Sequence, residues 1–310
     1  MEKLKSFRRL AIAVSLLLLF STLGAWSITK SVAERETTRL FNEEVNVIES
    51  WITNRFELYK TIAYGLQAFW AGSEIATQEE WQTYVETLKI KERFPGITSV
   101  GLAKRIDDNY IATFVYPPER EAVIGANIAT EERRLQAINQ AVDNASVAIT
   151  DKVLLLADQS PGFIMFAPLY KTGFLEGLVA LTFRSEQVFK DLFDAHDTFP
   201  HLDFELYKGD ALASSAYKGK LLEEDHILYD HDYSHYIPKI KTQNRLETKR
   251  TIISDGETFT LLVASKPSFG LTTLEKQLPN IVLILGLAFS FLFFIFALSG
   301  FQKLQKKLAR

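Results

Sequence analysis

The chain has 310 residues, 47% of them hydrophobic, no cysteine, and 35 basic against 38 acidic side chains. Without cysteine there is no disulfide framework, thiolate metal site or cysteine nucleophile, and a disulfide-free chain of this kind suits a bacterial envelope. Charges this balanced, with no basic stripe interleaved with aromatics, argue against nucleic acid as a partner.

The apolar residues are unevenly spread, with two runs near the ends. Leu10 to Ile28 is about 19 residues without a charge, close to the 30 Å that a bilayer core requires. Ile281 to Leu298 is the second run, with Phe291, Phe293, Phe294 and Phe296. Lys3, Lys5, Arg8 and Arg9 precede the first, and Lys303, Lys306, Lys307 and Arg310 follow the second, which predicts both ends cytoplasmic and Thr29 to Leu278 outside. The competing reading of the first run is a cleaved signal peptide. The uncleaved anchor is preferred, because Gly24, Ala25, Trp26 and Ser27 form no clean small-x-small site.

Next, Phe41, Val45, Ile48, Ile52, Arg55, Tyr59, Ile62, Leu66 and Phe69 step alternately by four and three, the spacing of a coiled-coil seam. Two readings fit. The helix is either a core helix lying on its own domain or a parallel dimer helix continuing the span; Trp51, Leu40 and Leu58 add a second stripe. Gly72 and Ser73 end it, and a short helix over Gln78 to Lys91 presents Trp81, Tyr84, Val85 and Leu88 on one face.

The stretch from Phe94 to Arg134 predicts a Pro95-Gly96 turn, a strand over Ile97 to Ile106, a turn at Asp107, Asp108 and Asn109, and a return strand over Tyr110 to Tyr116 ended by Pro117 and Pro118. Thr130 is the expected N-cap of a helix with Glu131 and Glu132 in its first turn and Leu135, Ile138 and Val142 on its apolar face. Asp143-Asn144 stops it. Strands follow over Ser146 to Thr150 with Lys152 to Ala157, Gly162 to Tyr170, and Gly177 to Phe183, then an amphipathic connector over Arg184 to Asp194 with Val188, Leu192 and Phe193 inward. A smaller β region holds Asp203 to Tyr207, His226 to Tyr229, and a hairpin of Glu247 to Ser254 with Glu257 to Ser265 across Asp255-Gly256. Strands flanking a helix, then a run of antiparallel strands, resemble a PAS-like α/β sensor module within an α+β chain.

The ordered set Phe94-Pro95-Gly96-Ile97, Tyr116-Pro117, Gly125 with Arg134, Ala137 and Ala141, Gly162-Phe163, Pro168-Leu169-Tyr170, and Gly177 leading to Phe183-Arg184 resembles the CHASE domain. That domain is the extracellular sensory domain of bacterial histidine kinases and cyclases and of plant cytokinin receptors. The set covers about 90 residues. The resemblance implies a long N-terminal helix, a membrane-distal PAS-like module that binds ligand, and a membrane-proximal one. Two departures stand out: a short loop between Ile106 and Tyr116, and Asn127 where an acid is expected.

The resulting division is a cytoplasmic N-terminus at 1–9, a span at 10–28, sensor helices at 29–92, a ligand-binding module at 93–195, a proximal module at 196–278, a span at 279–299 and a cytoplasmic helix stub at 300–310. In the stub, Leu304 and Leu308 stand four apart, so the second span can continue as a helix.

No catalytic constellation is present. His226, His231 and His235 with Asp230 and Asp232 are the best metal candidate, but they lack local ligand spacing and read as a polar, aromatic-rich strand and loop, so no metal or cofactor is expected. No G-x-S-x-G elbow and no phosphate-cradling glycine loop occurs. The candidate ligand residues are Tyr116, Asn127, Arg133, Arg134, Thr150, Leu155, Asp158, Phe163 and Met165. For Leu155, Phe163 and Met165 the competing role is sheet core; for Arg133 and Arg134 it is a solvated face or an ion pair.

The expected function is a membrane-anchored, periplasmic small-molecule sensor of the inner membrane, with a homodimer through the N-terminal helix. Its output is a kinase or cyclase, on a longer receptor or on a separate partner. The alternative is an envelope scaffold that binds a protein. An anchored enzyme is the least favoured.

Overall fold

The computed structural model describes residues 2–73, 77–94, 96–193, 198–209, 226–230, 245–254 and 256–308. Their elements are helix α1 (Glu2–Gly72), α2 (Gln78–Thr87), α3 (Ile90–Arg93), strands β1 (Ile97–Ile106) and β2 (Asn109–Tyr116), a 3-10 helix (Pro118–Val123), and α4 (Glu132–Asp143). Then come β3 (Ala148–Ile149), β4 (Val153–Leu154), β5 (Pro161–Lys171), β6 (Phe174–Arg184), α5 (Ser185–Phe193), β7 (Leu202–Lys208), β8 (Ile227–Asp230), β9 (Glu247–Ser254), β10 (Glu257–Ser265) and α6 (Thr273–Leu308). The chain divides into two compact units, Met1–Glu43 with Phe269–Arg310, and Glu44–Ser268.

In the first unit, α1 and α6 are long and apolar enough to cross a membrane. Leu17, Phe20, Phe291 and Phe296 lie 63% exposed or more, which is unfavourable in water and costs nothing in hydrocarbon. Gly286 of α6 lets the two helices close on each other, since a Cβ there would stand 2.3 Å from Cγ2 of Thr22. Farther along the same unit, Phe41 meets Phe269 edge to face at 5.8 Å. A capping box of Thr272 and Glu275 starts α6.

The second unit holds two antiparallel sheets. The first has the order β2-β1-β6-β5-β3, with β4 also paired to β5; the second is β8-β7-β10-β9. Residues Glu44 to Gly72 of α1 form the spine against which they pack. Phe56 is the hub: it stacks on Phe259 of β10 at 4.6 Å and meets Phe163 of β5 and Phe189 of α5 edge to face. Tyr59 packs on Phe183 of β6. Lys60, 3% exposed, donates to Glu57 Oε1 and to the hydroxyl of Ser254, so its charge is paired.

The sheets also bind each other. Glu257 Oε1 accepts from Ile149 N at 2.9 Å, Lys208 Nζ donates to Ile149 O, and Lys208 and Glu257 are paired at 3.5 Å. One strand residue of the first sheet is thereby held at both backbone groups by an ion pair of the second. His226 Nδ1 lies 3.3 Å from Asp151 Oδ1 at the same junction.

Several boundaries differ from expectation. The heptad seam faces this chain's own sheets: Val45, Ile48, Ile52, Phe56, Tyr59 and Leu66 are buried. Phe56 takes the place expected for Arg55, because a straight helix drifts from a strict 3.5 repeat and its buried stripe follows 3.6. A dimer through that seam is therefore closed off. In the second stripe Trp51 stacks on Phe193, but Leu58 is exposed. The helix expected over Gln78 to Lys91 breaks at Lys89, whose φ of 52° is left-handed. Glu131, not Thr130, caps α4, accepting from Arg134 N. The buried face of α4 is Arg134, Ala137, Ile138 and Ala141, while Leu135 is exposed. The strands expected over Ser146 to Ala157 shrink to two residue pairs, because the chain there turns across the edge of β5. Pro95, Asp232, Asp255, His231 and His235 lie outside the described residues, as do the side chains of Leu304 and Leu308.

Candidate functional site

Side chains alternate across a strand, so β5 and β6 present two surfaces. Phe163 and Phe183 meet α1, and Ile164, Phe166, Ala180 and Thr182 face the other way, toward α4. On that second face β1, β2 and β6 carry Gly101, Ala103, Ala112 and Ala180, which are too small to fill the space beneath the 3-10 helix and the loop after β4. A cavity of about 70 Å3 results.

The walls are mostly apolar, with Ile128, Leu155, Ile164 and Phe166 at the base. Two hydroxyl residues break the pattern. Ser99 of β1 and Thr182 of β6 both line the cavity, and they are register partners, so they stand side by side. An apolar lining with a few placed polar groups is the composition of a ligand pocket.

The mouth is formed by the 3-10 helix and the loop after β4. Strand β2 ends at the cis Tyr116–Pro117 peptide, and the 3-10 helix that follows contributes Arg120 and Val123. Arg120 Nη1 donates to Asp158 Oδ2 at 2.7 Å, and Arg184 Nη2 donates to the same oxygen. Asp158 Oδ1 accepts from the backbone N–H and the hydroxyl of Ser160. Those hydrogen bonds, Ser160's first and then the two guanidiniums', hold the Asp158 carboxyl far below the usual carboxylate range.

Of the residues predicted from sequence, Leu155 lines the cavity and Asp158 stands at its mouth, bonded to the lining residue Arg120. The others are elsewhere. Phe163 and Met165 are fully buried on the opposite face of the sheet. The Thr150 hydroxyl accepts from Ile164 N and ties β5 to the residue after β3. Asn127 Oδ1 accepts from Tyr110 N and Ala129 N while Nδ2 donates to Asn109 Oδ1, pinning the loop before α4 to the edge strand β2. Arg133 and Arg134 donate to the carbonyls of Lys152 and Leu154, and burial lowers the pKa of Arg134. These two arginines shape the loop that carries Leu155 and Asp158. Tyr116 precedes the 3-10 helix and does not line the cavity.

Arg120, Ser99, Thr182 and the small residues of the sheet were not anticipated. Their signal was Gly101 and Ala103 at alternate positions of β1, with Ala112 opposite Ala103 on β2, which marks a sheet face unable to fill itself. Among the described residues no group of three or more His, Asp or Glu is placed to hold a metal.

The sequence of residues 107–217 matches the CHASE domain, so the resemblance read from the motifs is shown, although the match begins after Phe94-Pro95-Gly96-Ile97. No curated protein matches the chain. Among solved structures, the ligand-binding domain of the Pseudomonas fluorescens chemoreceptor CtaA, in complex with L-serine, is similar at a TM-score of 0.54 and 10% identity, over 75% of this chain and 98% of that one. The ligand-binding domain of the Pseudomonas aeruginosa chemoreceptor PctB, in complex with L-Gln, gives 0.53 and 13%, over 75% and 93%. An extracellular ligand-binding receptor from Desulfohalobium retbaense gives 0.51 and 11%; the similar region covers 70% of this chain but only 38% of that receptor. At these identities the likeness is one of fold: a long N-terminal helix carrying two antiparallel sheets.

Proposed function

We propose that this chain is a membrane-anchored extracytoplasmic sensor that binds a small molecule in the cavity of the first sheet and passes a conformational change to a cytoplasmic kinase or cyclase. The observation that carries the reading is the cavity itself: an unfilled, apolar space with adjacent hydroxyls and a charged mouth, in a fold shared with ligand-binding domains of chemoreceptors. The CHASE match over residues 107–217 supports it independently. The relatives' ligands are amino acids, which places small polar metabolites among the compounds to test. Leu155 and Asp158 are retained as ligand-site residues, joined by Arg120, Ser99 and Thr182. No catalytic role is assigned.

On this reading 10–28 and 279–299 are spans and 29–278 is periplasmic, with PAS-like modules at 93–195 and 196–278. Basic residues outside both runs support that orientation, and the exposed apolar surfaces of α1 and α6 support insertion. A homodimer through α1 would use a face other than the buried seam. A ligand shifts such a receptor only if it binds the two states with different affinity. The route with two discrete partners is the Ile149 clamp: β3 pairs with β5, whose Phe166 lines the cavity, and Glu257 of the clamp is the register partner of Ser254, which bonds Lys60 of α1.

The test is a thermal-shift screen of the full chain in nanodiscs against amino acids, organic acids and purine-like compounds. Stabilisation that disappears when the cavity is filled supports the reading, and no stabilisation by any compound refutes it. A protein-binding scaffold is the second reading. It is favoured by one observation, that Phe174 (76% exposed) and Ile106 (50%) stand at the same end of the first sheet.

A further inference from the structure

Resting on the sensor reading above, we infer that the cavity selects a small aliphatic monocarboxylate and discriminates against the corresponding amino acid. Among the described residues lining it, Arg120 is the sole charged side chain, and none is acidic. Asp158 is the acid bonded to Arg120, and its acceptor capacity is taken. A carboxylate offers about four lone-pair sites, and Asp158 receives four donors, from Ser160 N, Ser160 Oγ, Arg120 and Arg184. Two guanidiniums share this one carboxylate.

One of the five N–H groups of Arg120 is used on Asp158; among the described residues the others meet no protein acceptor. A ligand carboxylate at this position accepts from them in the paired geometry that arginine favours. An ammonium group beside it would enter an apolar, cation-bearing site with no free carboxylate to receive it, and an unpaired buried charge is strongly unfavourable. The rest of the ligand lies against Ile128, Ile164 and Phe166, which suits a short branched hydrocarbon. Ser99 and Thr182 supply hydroxyl donors on the sheet floor for a carboxylate oxygen.

Three probes separate these terms: isovalerate, its neutral amide isovaleramide, and L-valine, which is isovalerate with an added α-ammonium. Calorimetric titration of the full chain in nanodiscs should show isovalerate binding about tenfold or more tighter than either of the others. Arg120→Gln should weaken isovalerate by about 10- to 100-fold and isovaleramide by clearly less, since a neutral carbonyl loses a weaker hydrogen bond than a carboxylate. Arg120→Lys, which keeps the charge and loses the fork, should recover part of that loss, and the melting temperature of each unliganded variant reports whether it folds.

Tighter binding of L-valine, or isovalerate affinity indifferent to Arg120→Gln in a folded variant, overturns the monocarboxylate inference. So does binding of none of the three. In each of these cases the sensor reading stands if some compound of the wider screen binds and loses that binding in Ala180→Leu. It falls if none does.

Discussion

Replacing Ala180 by leucine tests whether the space beneath the 3-10 helix is a ligand cavity or ordinary core. Ala180 lies on β6 beside Thr182 and faces the cavity, so the added three carbons enter the empty 70 Å3. Burying them contributes about 2.4 kcal/mol at about 0.8 per methylene. Fixing the leucine rotamer costs about 0.5–1 kcal/mol, leaving a net gain of about 1.5. Removal of the cavity, at about 24 cal/mol per Å3, gives a similar 1.7 kcal/mol. For a unit of this size that gain corresponds to a rise in Tm of about 3–6 °C. Differential scanning calorimetry of the unliganded protein measures the rise, and titration with whichever compound stabilises the parent protein measures the loss of binding. In a filled core the same substitution would cost about 1–3 kcal/mol through overpacking. A fall in Tm with ligand affinity unchanged would therefore refute the assignment of the cavity.

Phe56→Ala removes the ring that both sheets and α5 share, and urea unfolding should show a loss of about 3–5 kcal/mol. Glu257→Ala leaves Ile149 N without its acceptor and Lys208 without its counter-charge at the junction of the sheets, with only the Ile149 carbonyl still accepting from Lys208. Its cost should be about 2–4 kcal/mol by the same assay, against near-neutrality if the junction were solvated. Asp158 is depressed in the folded state, so its contribution to stability is present above the unfolded carboxyl pKa of about 3.9 and is lost as pH falls below it. Asp158→Asn should accordingly lower stability at neutral pH and flatten the decline on acidification, read as Tm against pH from 3 to 7. An unchanged acid limb in that variant would remove Asp158 from the argument.

The long helix, the β1–β2 turn, the β9–β10 hairpin and the positions of the longer strands along the chain were legible because each rests on local signals: periodicity, β-branched runs and turn residues. The motifs that carry the CHASE resemblance were legible for the same reason. Helix partners were less so. A spacing of four and three fits a dimer seam and a sheet-packed helix equally, and only the position of Phe163, Phe189 and Phe259 around Phe56 decided between them.

The ligand site shows the same limit. From sequence, Phe163 and Met165 look as suitable for a pocket as Ile164 and Phe166, because alternation defines two faces without saying which one is covered. The tertiary structure placed α1 on one face and left Gly101, Ala103, Ala112 and Ala180 on the other, so the void formed there. It also brought Arg120, Asp158 and Arg184 together across 64 residues of sequence, from Arg120 to Arg184. The chain by itself determined its elements and its apolar ends, since those follow from neighbours a few residues apart. The cavity and its charge were decided by packing, since they depend on which distant segments close over the sheet.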